Sequence, residues 1–178
     1  MLGNYKNFPE NIHGIAFFEY QNSTKSLQQV ILNALHQLNN ETYNLGSVTP
    51  YLKQNYEVGF EFGVAEDFDF NFLDNKELER CTRSIAENEL ETLDFFFTVR
   101  YHNIMKDNKR TPLKFDYHLL RFIFQRNGLE LRIRHERGPQ RVATDDLTEF
   151  IALQINRELS KKQLTPLIIG DFTKVNIK

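Results

Sequence analysis

The clearest signal along the chain is alternation. Tyr56, Val58, Phe60, Phe62 and Val64 take turns with Glu57, Gly59, Glu61 and Gly63. A period of two puts one set on a buried face and the other on a wetter one, the pattern of a half-buried strand. After Ala65-Glu66-Asp67, Phe68, Phe70 and Phe72 alternate with Asp67, Asp69 and Asn71. The two runs make either one long bent strand or a hairpin, and the hairpin is the preferred reading.

Three stretches carry helical spacing instead. Leu27, Val30, Ile31, Ala34, Leu35 and Leu38 recur three and four residues apart, with Ser23 or Thr24 as the cap. Asp74, with Glu77 three residues on, resembles a capping box ahead of an inner stripe of Leu78, Cys81, Thr82 and Ile85. Leu147, Phe150, Ile151, Ile155 and Leu159 form a third stripe, capped by Thr144, with Asp145 and Asp146 favourably placed in the first turn.

The remaining runs read as strands. Residues 12–20 open the chain, and residues 92–104 put Leu93, Phe95, Phe97, Val99 and Tyr101 on one face. Residues 113–125 change their apolar face near Leu119-Leu120, which suggests a bulge or burial on both sides. Asn127-Gly128 is a hairpin signal, because both central turn residues must tolerate positive φ. Leu129 to His135 returns, and Leu167-Ile168-Ile169 adds a short edge strand. The order β-α-β-β-α-β-β-β-α begins as a split βαβ, ferredoxin-like core and ends with an added hairpin and helix. The expected class is α+β: a mainly antiparallel sheet with helices packed on one face.

Composition adds limits. The 178 residues, 40% apolar and 26% charged, suit one domain with a core at about 12–169 and short tails. No apolar run approaches the roughly 20 residues a membrane span needs, and no leader precedes the first strand, so the expected location is the cytoplasm. Cys81 is the only cysteine, which excludes an internal disulfide and a cysteine-rich zinc site. No cofactor or metal is expected.

Charge changes the picture more. The net charge is −2, yet residues 121–141 hold six arginines against two glutamates, and residues 61–94 hold eleven acids against three bases. If Asn127 and Gly128 occupy the central turn positions, Phe124 faces Leu131 and Phe122 faces Ile133 on the core side. Arg121 then meets Arg134, an unfavourable pair that something must offset. Three readings fit. The arginines pair internally with the acidic stripe Glu57, Glu61, Asp67 and Asp69. They form a protein interface, where arginine is enriched. Or they grip phosphate, since their forks match its oxygens. For the last, an exposed aromatic platform is missing, because Phe122 and Phe124 face the core.

Catalytic motifs are absent: the chain has no G-x-G-x-x-G, P-loop, G-x-S-x-G or H-E-x-x-H. Cys81 reads as core filler. His118 and His135 are diagonal neighbours in the inferred register, a weak zinc or proton-sharing pair. Asp116 reads as an outward strand residue. Both faces of Phe95-Phe96-Phe97 and of Leu119 to Phe124 are apolar and need cover that one helical layer does not give both ways. An exposed apolar patch marks a partner surface.

The expectation is therefore a non-enzymatic subunit or adaptor of an intracellular assembly, associating with a protein partner or with itself. Its contact surface is Arg121, Arg132, Arg134, Arg137 and Arg141. On this reading, reversing Arg121 and Arg134 to glutamate abolishes association and spares the fold. The alternative is a phosphate- or RNA-binding module using the same arginines. No membrane partner is expected.

Overall fold

The alternating runs pair into one antiparallel sheet. The computed structural model describes residues 1–52, 54–126 and 128–175. In chain order the elements are β1 (Gly14–Glu19), α1 (Thr24–Leu38), β2 (Thr42–Asn44), α2 (Leu45–Val48), β3 (Tyr56–Glu66), β4 (Asp69–Phe72), α3 (Asn75–Glu87) and β5 (Thr92–Ile104). They continue as β6 (Arg110–Pro112), β7 (Asp116–Gln125), β8 (Gly128–Arg137), α4 (Thr144–Lys161) and β9 (Ile168–Lys174). The main sheet path is β2-β3-β5-β7-β8-β1-β9, with β4 paired to β3 and β6 to β5.

The strand parity read from the sequence sets the faces. Val58, Phe60, Phe62 and Val64 meet Leu93, Phe95, Phe97, Val99 and Tyr101, and all are sealed from solvent. Phe62 stacks on Phe97 with ring centroids 4.8 Å apart. α1 packs between α3 and α4 on this face, so the helices form one layer. Ser23 caps α1 by accepting from the Ser26 amide at 3.1 Å. Asp74 caps α3 through the Glu77 amide at 2.9 Å, while the Glu77 carboxylate turns to Arg80 instead of closing a capping box. For α4 the N-cap is Ala143, not Thr144, which lies inside the helix and is buried.

The α+β class holds, but the ferredoxin-like order does not. A split βαβ unit inserts one strand between its parallel pair. Here β5, β7 and β8 all lie between β1 and β3. The β7–β8 hairpin closes against β1, so the added hairpin sits in the middle of the sheet, not at its end. β3 and β4 do form the expected hairpin, with Glu66 opposite Asp69 and Asp67 at φ 57°.

The β7–β8 register differs by two residues from the expected one. Phe122 faces Leu131, Phe124 faces Leu129, and Gln125 faces Gly128. Gly128 therefore ends the turn as a paired residue; Asn127 lies outside the described residues. A shift of two keeps every side chain on its expected face but changes its partner. Arg121 now faces Arg132, Arg134 faces Leu119, and His118 faces His135 directly.

The other face, called the back face below, is covered in part by the chain's first residues, which the sequence reads as a tail. β3 and β5 splay beyond Phe62, and residues 2–5 enter the gap. Gly3 donates to the Ala65 carbonyl at 2.7 Å and accepts from the Asp94 amide at 2.7 Å. Its φ of +83° and the closeness of the Thr92 carbonyl leave no room for a side chain. At the far edge β9 leaves Ile168 and Ile169 exposed. Among the described residues, no helix is long and apolar enough to cross a membrane.

Candidate functional site

The back face has two regions, and they treat their arginines differently. The first is a set of internal clamps. Asp94 and Arg121 sit opposite each other on β5 and β7. Arg121 forks onto Asp94 through Nε (2.8 Å) and Nη2 (2.7 Å), and Asp94 also accepts from the Tyr5 amide at 2.8 Å. The Arg121 guanidinium also donates to the Tyr5 carbonyl and lies 4.2 Å over the Phe8 ring. Arg132 pairs with Glu130 at 3.1 Å. Arg134 pairs with Glu136 at 2.9 Å and donates to the Asn11 carbonyl at 2.6 Å. Arg121 and Arg134 thus staple residues 5–11 across the sheet.

Three of the four acids of the acidic stripe pair with other bases. Glu57 pairs with Arg110, Glu61 with Arg100, and Asp67 with Lys6. Internal pairing of the arginines therefore occurs, but with Asp94, Glu130 and Glu136.

The second region is an aromatic stripe that the sequence reading missed. β4 places Phe70 over Gly63, where an ideal Cβ would stand 3.3 Å from the Phe70 Cβ. That small residue lets Phe70 reach across β3 to Phe96, with centroids 5.6 Å apart. Phe96 stacks on Tyr117 at 6.0 Å, and the Arg137 guanidinium lies 4.5 Å over the Tyr117 ring. Tyr5 flanks Phe70 at 4.7 Å. Phe68 and Phe72 extend the stripe on β4 and its turn, and they are 58% and 54% exposed. Phe96 lies on the face of Phe95-Phe96-Phe97 that one helical layer leaves without cover; Phe68, Phe70, Phe72 and Tyr117 join it only through the sheet order.

Two open clefts flank Tyr117 and Arg137. One, of about 710 Å³, runs along the stripe between Phe68, Phe70 and Phe96 and the β8 residues Arg134 and Glu136. The other, of about 760 Å³, is lined by Leu113, Lys114, Phe115, Tyr117, Arg137 and Pro139, with no acid among its lining residues. Among the described residues, no carboxylate lies within ion-pair distance of Arg137 or Lys114, and no cation within that distance of Asp69. Arg141 lies apart, 5.6 Å over Tyr101 and 5.9 Å over Tyr56.

On the core side a polar cluster fills the end of β7. Asp116 is fully buried, a correction to its outward placement, because it shares the parity of Leu120 and Phe122. It accepts from the Tyr101 hydroxyl (2.7 Å), His135 Nε2 (3.0 Å) and the amides of Gln140 (2.6 Å) and Arg141 (2.9 Å). Burial alone would raise its carboxyl, but these four donors outweigh burial and hold it below the ordinary range. Gly138, at φ +111°, brings the loop against it; a Cβ there would stand 2.5 Å from Asp116 Oδ1. The Arg134-to-Arg141 stretch is therefore a clasp on Asp116 as well as a wall of both clefts.

His118 stacks on Phe97 at 4.8 Å and meets His135 edge-on at 5.1 Å. Both its nitrogens are sealed without a partner, and burial lowers its pKa to about 3. Its imidazole is neutral at pH 7. No group of three or more His, Cys, Asp or Glu among the described residues is arranged to hold a metal ion. Cys81 is buried, and desolvation pushes its thiol up to about 12, which suits core filler.

The fold and its surface define a class of architecture: a helix-backed antiparallel sheet whose free face carries an aromatic stripe ending in an arginine. The chain matches no protein-family model, no curated protein and no solved structure.

Proposed function

We propose that the protein is a non-catalytic subunit or adaptor of a protein assembly, and that it makes contact through the stripe from Phe68 to Arg137. The observation that carries this reading is the exposure of Phe68 and Phe72 in line with a packed Phe70–Phe96–Tyr117 row that ends at Arg137. Aromatic residues and arginine are the types enriched at the centres of protein interfaces. The rim suits the same use, because it mixes charges: Arg134 and Glu136 on one side, Asp69 on the other.

The phosphate or RNA reading draws on the same stripe, since single-stranded bases stack on aromatic rings. It is the weaker of the two. Affinity for a polyanion comes from cations free to release its counterions, and Arg121, Arg132 and Arg134 already hold carboxylates.

The test is purification of the tagged full chain from cells beside a Phe68→Ser, Tyr117→Ser variant. The expected result is a stoichiometric protein band that the variant loses while its thermal midpoint is unchanged. Excess absorbance at 260 nm that the variant loses would overturn this reading in favour of nucleic acid.

A further inference from the structure

Arg137 is held in place by the chain itself. Its guanidinium lies 4.5 Å over the Tyr117 ring. Stacking occupies the face of the guanidinium and leaves its in-plane N–H donors free, and these match a carboxylate. The loop that follows is fixed as well. Asp116 accepts from the amides of Gln140 and Arg141, and Gly138 turns at φ +111° between them and Arg137. Asp116 does not neutralise Arg137, because its carboxylate is sealed on the core side among its four donors. The cleft beside Arg137 also has Lys114 in its lining and no acid. In the neighbouring cleft Glu136 is held by Arg134 at 2.9 Å.

Tyr117 and Arg137 line both clefts, so the clefts meet there with apolar surface on each side. Leu113, Phe115 and Pro139 lie in one, Phe70 and Phe96 in the other. The complementary chemistry is one carboxylate between two bulky apolar groups. An extended chain presents that combination on one face, because alternate residues point the same way and stand about 7 Å apart. The rings of Phe96 and Tyr117 are 6.0 Å apart, a comparable step. Two cations suit a single carboxylate better than a polyanion. A polyanion gains affinity from a track of free cations, and the arginines further along this face, Arg134, Arg132 and Arg121, hold carboxylates.

We infer that the Arg137 end of the stripe takes an extended acidic segment of a partner protein, with the pattern apolar-x-acid-x-apolar. This rests on the contact-face reading above and adds the chemistry of the partner. The acid pairs with Arg137 and Lys114. One apolar side chain enters the cleft of Leu113, Phe115 and Pro139, and the other lies along Phe96. Apolar cover on both sides excludes water and strengthens the charged pair. Arg137 is pre-oriented by its ring and the loop by the Asp116 clasp, so little freedom is lost on binding.

Random peptides displayed on phage are selected on the immobilised full chain, and a labelled peptide of the enriched sequence is measured by fluorescence anisotropy. The enriched sequences are expected to carry Asp or Glu with a bulky apolar residue two places before it and two places after it. Arg137→Glu is expected to weaken that peptide about tenfold or more, the loss of one charge-assisted contact, with an unchanged thermal midpoint. Arg126→Glu, a change at the exposed β7–β8 turn, is expected to leave binding as it is. The same peptide with its acid replaced by lysine is expected to bind Arg137→Glu better than it binds the wild-type chain, a reversal that a damaged fold does not give. Selection that yields no consensus, or a consensus without an acid, overturns the inference. So does a peptide that binds Arg137→Glu as well as the wild-type chain. Tighter binding of a labelled oligothymidylate, weakened by Arg137→Glu, overturns it in favour of nucleic acid. If the peptide fails while a co-purifying protein still depends on Phe68 and Tyr117, the acidic segment is wrong and the contact-face reading stands. If neither depends on the stripe, both fail.

Discussion

Arg121 and Asp94 face each other across β5 and β7 and close a two-point fork at 2.8 and 2.7 Å, with the carboxylate sealed from solvent. The pair also holds Tyr5 by its amide and its carbonyl. An arginine in a run of like charges is here a structural clamp. Removing it leaves Asp94 buried and unpaired, and such a loss costs about 3–5 kcal/mol. Arg121→Ala is therefore expected to lower the urea midpoint sharply and to raise protease sensitivity in residues 1–12. An unchanged midpoint would contradict the clamp. Reversing Arg121 and Arg134 together is therefore expected to destabilise the fold as well, where the sequence alone leads one to expect it spared.

Acid acts through His118. Its folded pKa, lowered by burial to about 3, lies below the ordinary value of 6.5. Between those values the unfolded chain binds a proton that the folded chain refuses. Stability is thus fully present above pH 6.5 and is lost as pH falls toward 3, at up to about 1.4 kcal/mol per pH unit. Asp116 acts in the same direction lower down, because its carboxyl is held below the ordinary 3.8. His118→Phe keeps a ring on Phe97 and removes the titrating group. Urea titrations at pH 4 and pH 7 are expected to show a smaller difference for the variant than for the wild-type chain. Equal differences would contradict the assignment, and so would an NMR titration of His118 with an ordinary midpoint.

Gly138 is irreplaceable for a local reason. Its φ of +111° is closed to other residues, and a Cβ would strike the Asp116 carboxylate and its backbone. Gly138→Ala is expected to destabilise by at least about 2 kcal/mol, since strain and the loss of a clasp bond add. It should also speed amide exchange at Gln140 and Arg141, whose N–H groups bind Asp116. Full protection of those two amides in the variant would contradict the clasp.

Faces were legible in the sequence; partners were not. The apolar rows Val58 to Val64 and Leu93 to Tyr101 and the α4 stripe follow from period two or from three-and-four spacing, because burial acts on parity and helix face directly. The β7–β8 turn moved the register by two, which parity does not detect, so Arg121 gained Arg132 as a neighbour instead of Arg134. Asp116 and His118 carried the core parity of Phe122 but were judged by polarity. The burial of Asp116 depends on donors from a loop more than twenty residues away. Asp94 stood in the acidic run, and its role depends on Tyr5, 89 residues earlier. The aromatic stripe spans β4, β5 and β7, and only the sheet order brings those strands together.

The contact face is tested most directly by two charge reversals on the same arm. Arg137 lies on Tyr117 at the end of the stripe, while Arg126 is exposed at the β7–β8 turn. Arg137→Glu and Arg126→Glu change the net charge identically. The purified full chain of each is compared with the wild-type chain by light scattering at low and moderate salt, with absorbance read at 260 and 280 nm. The account predicts that Arg137→Glu loses the associated mass, that Arg126→Glu keeps it, and that no sample carries excess 260 nm absorbance. Equal loss in both variants, or none in either, would contradict it.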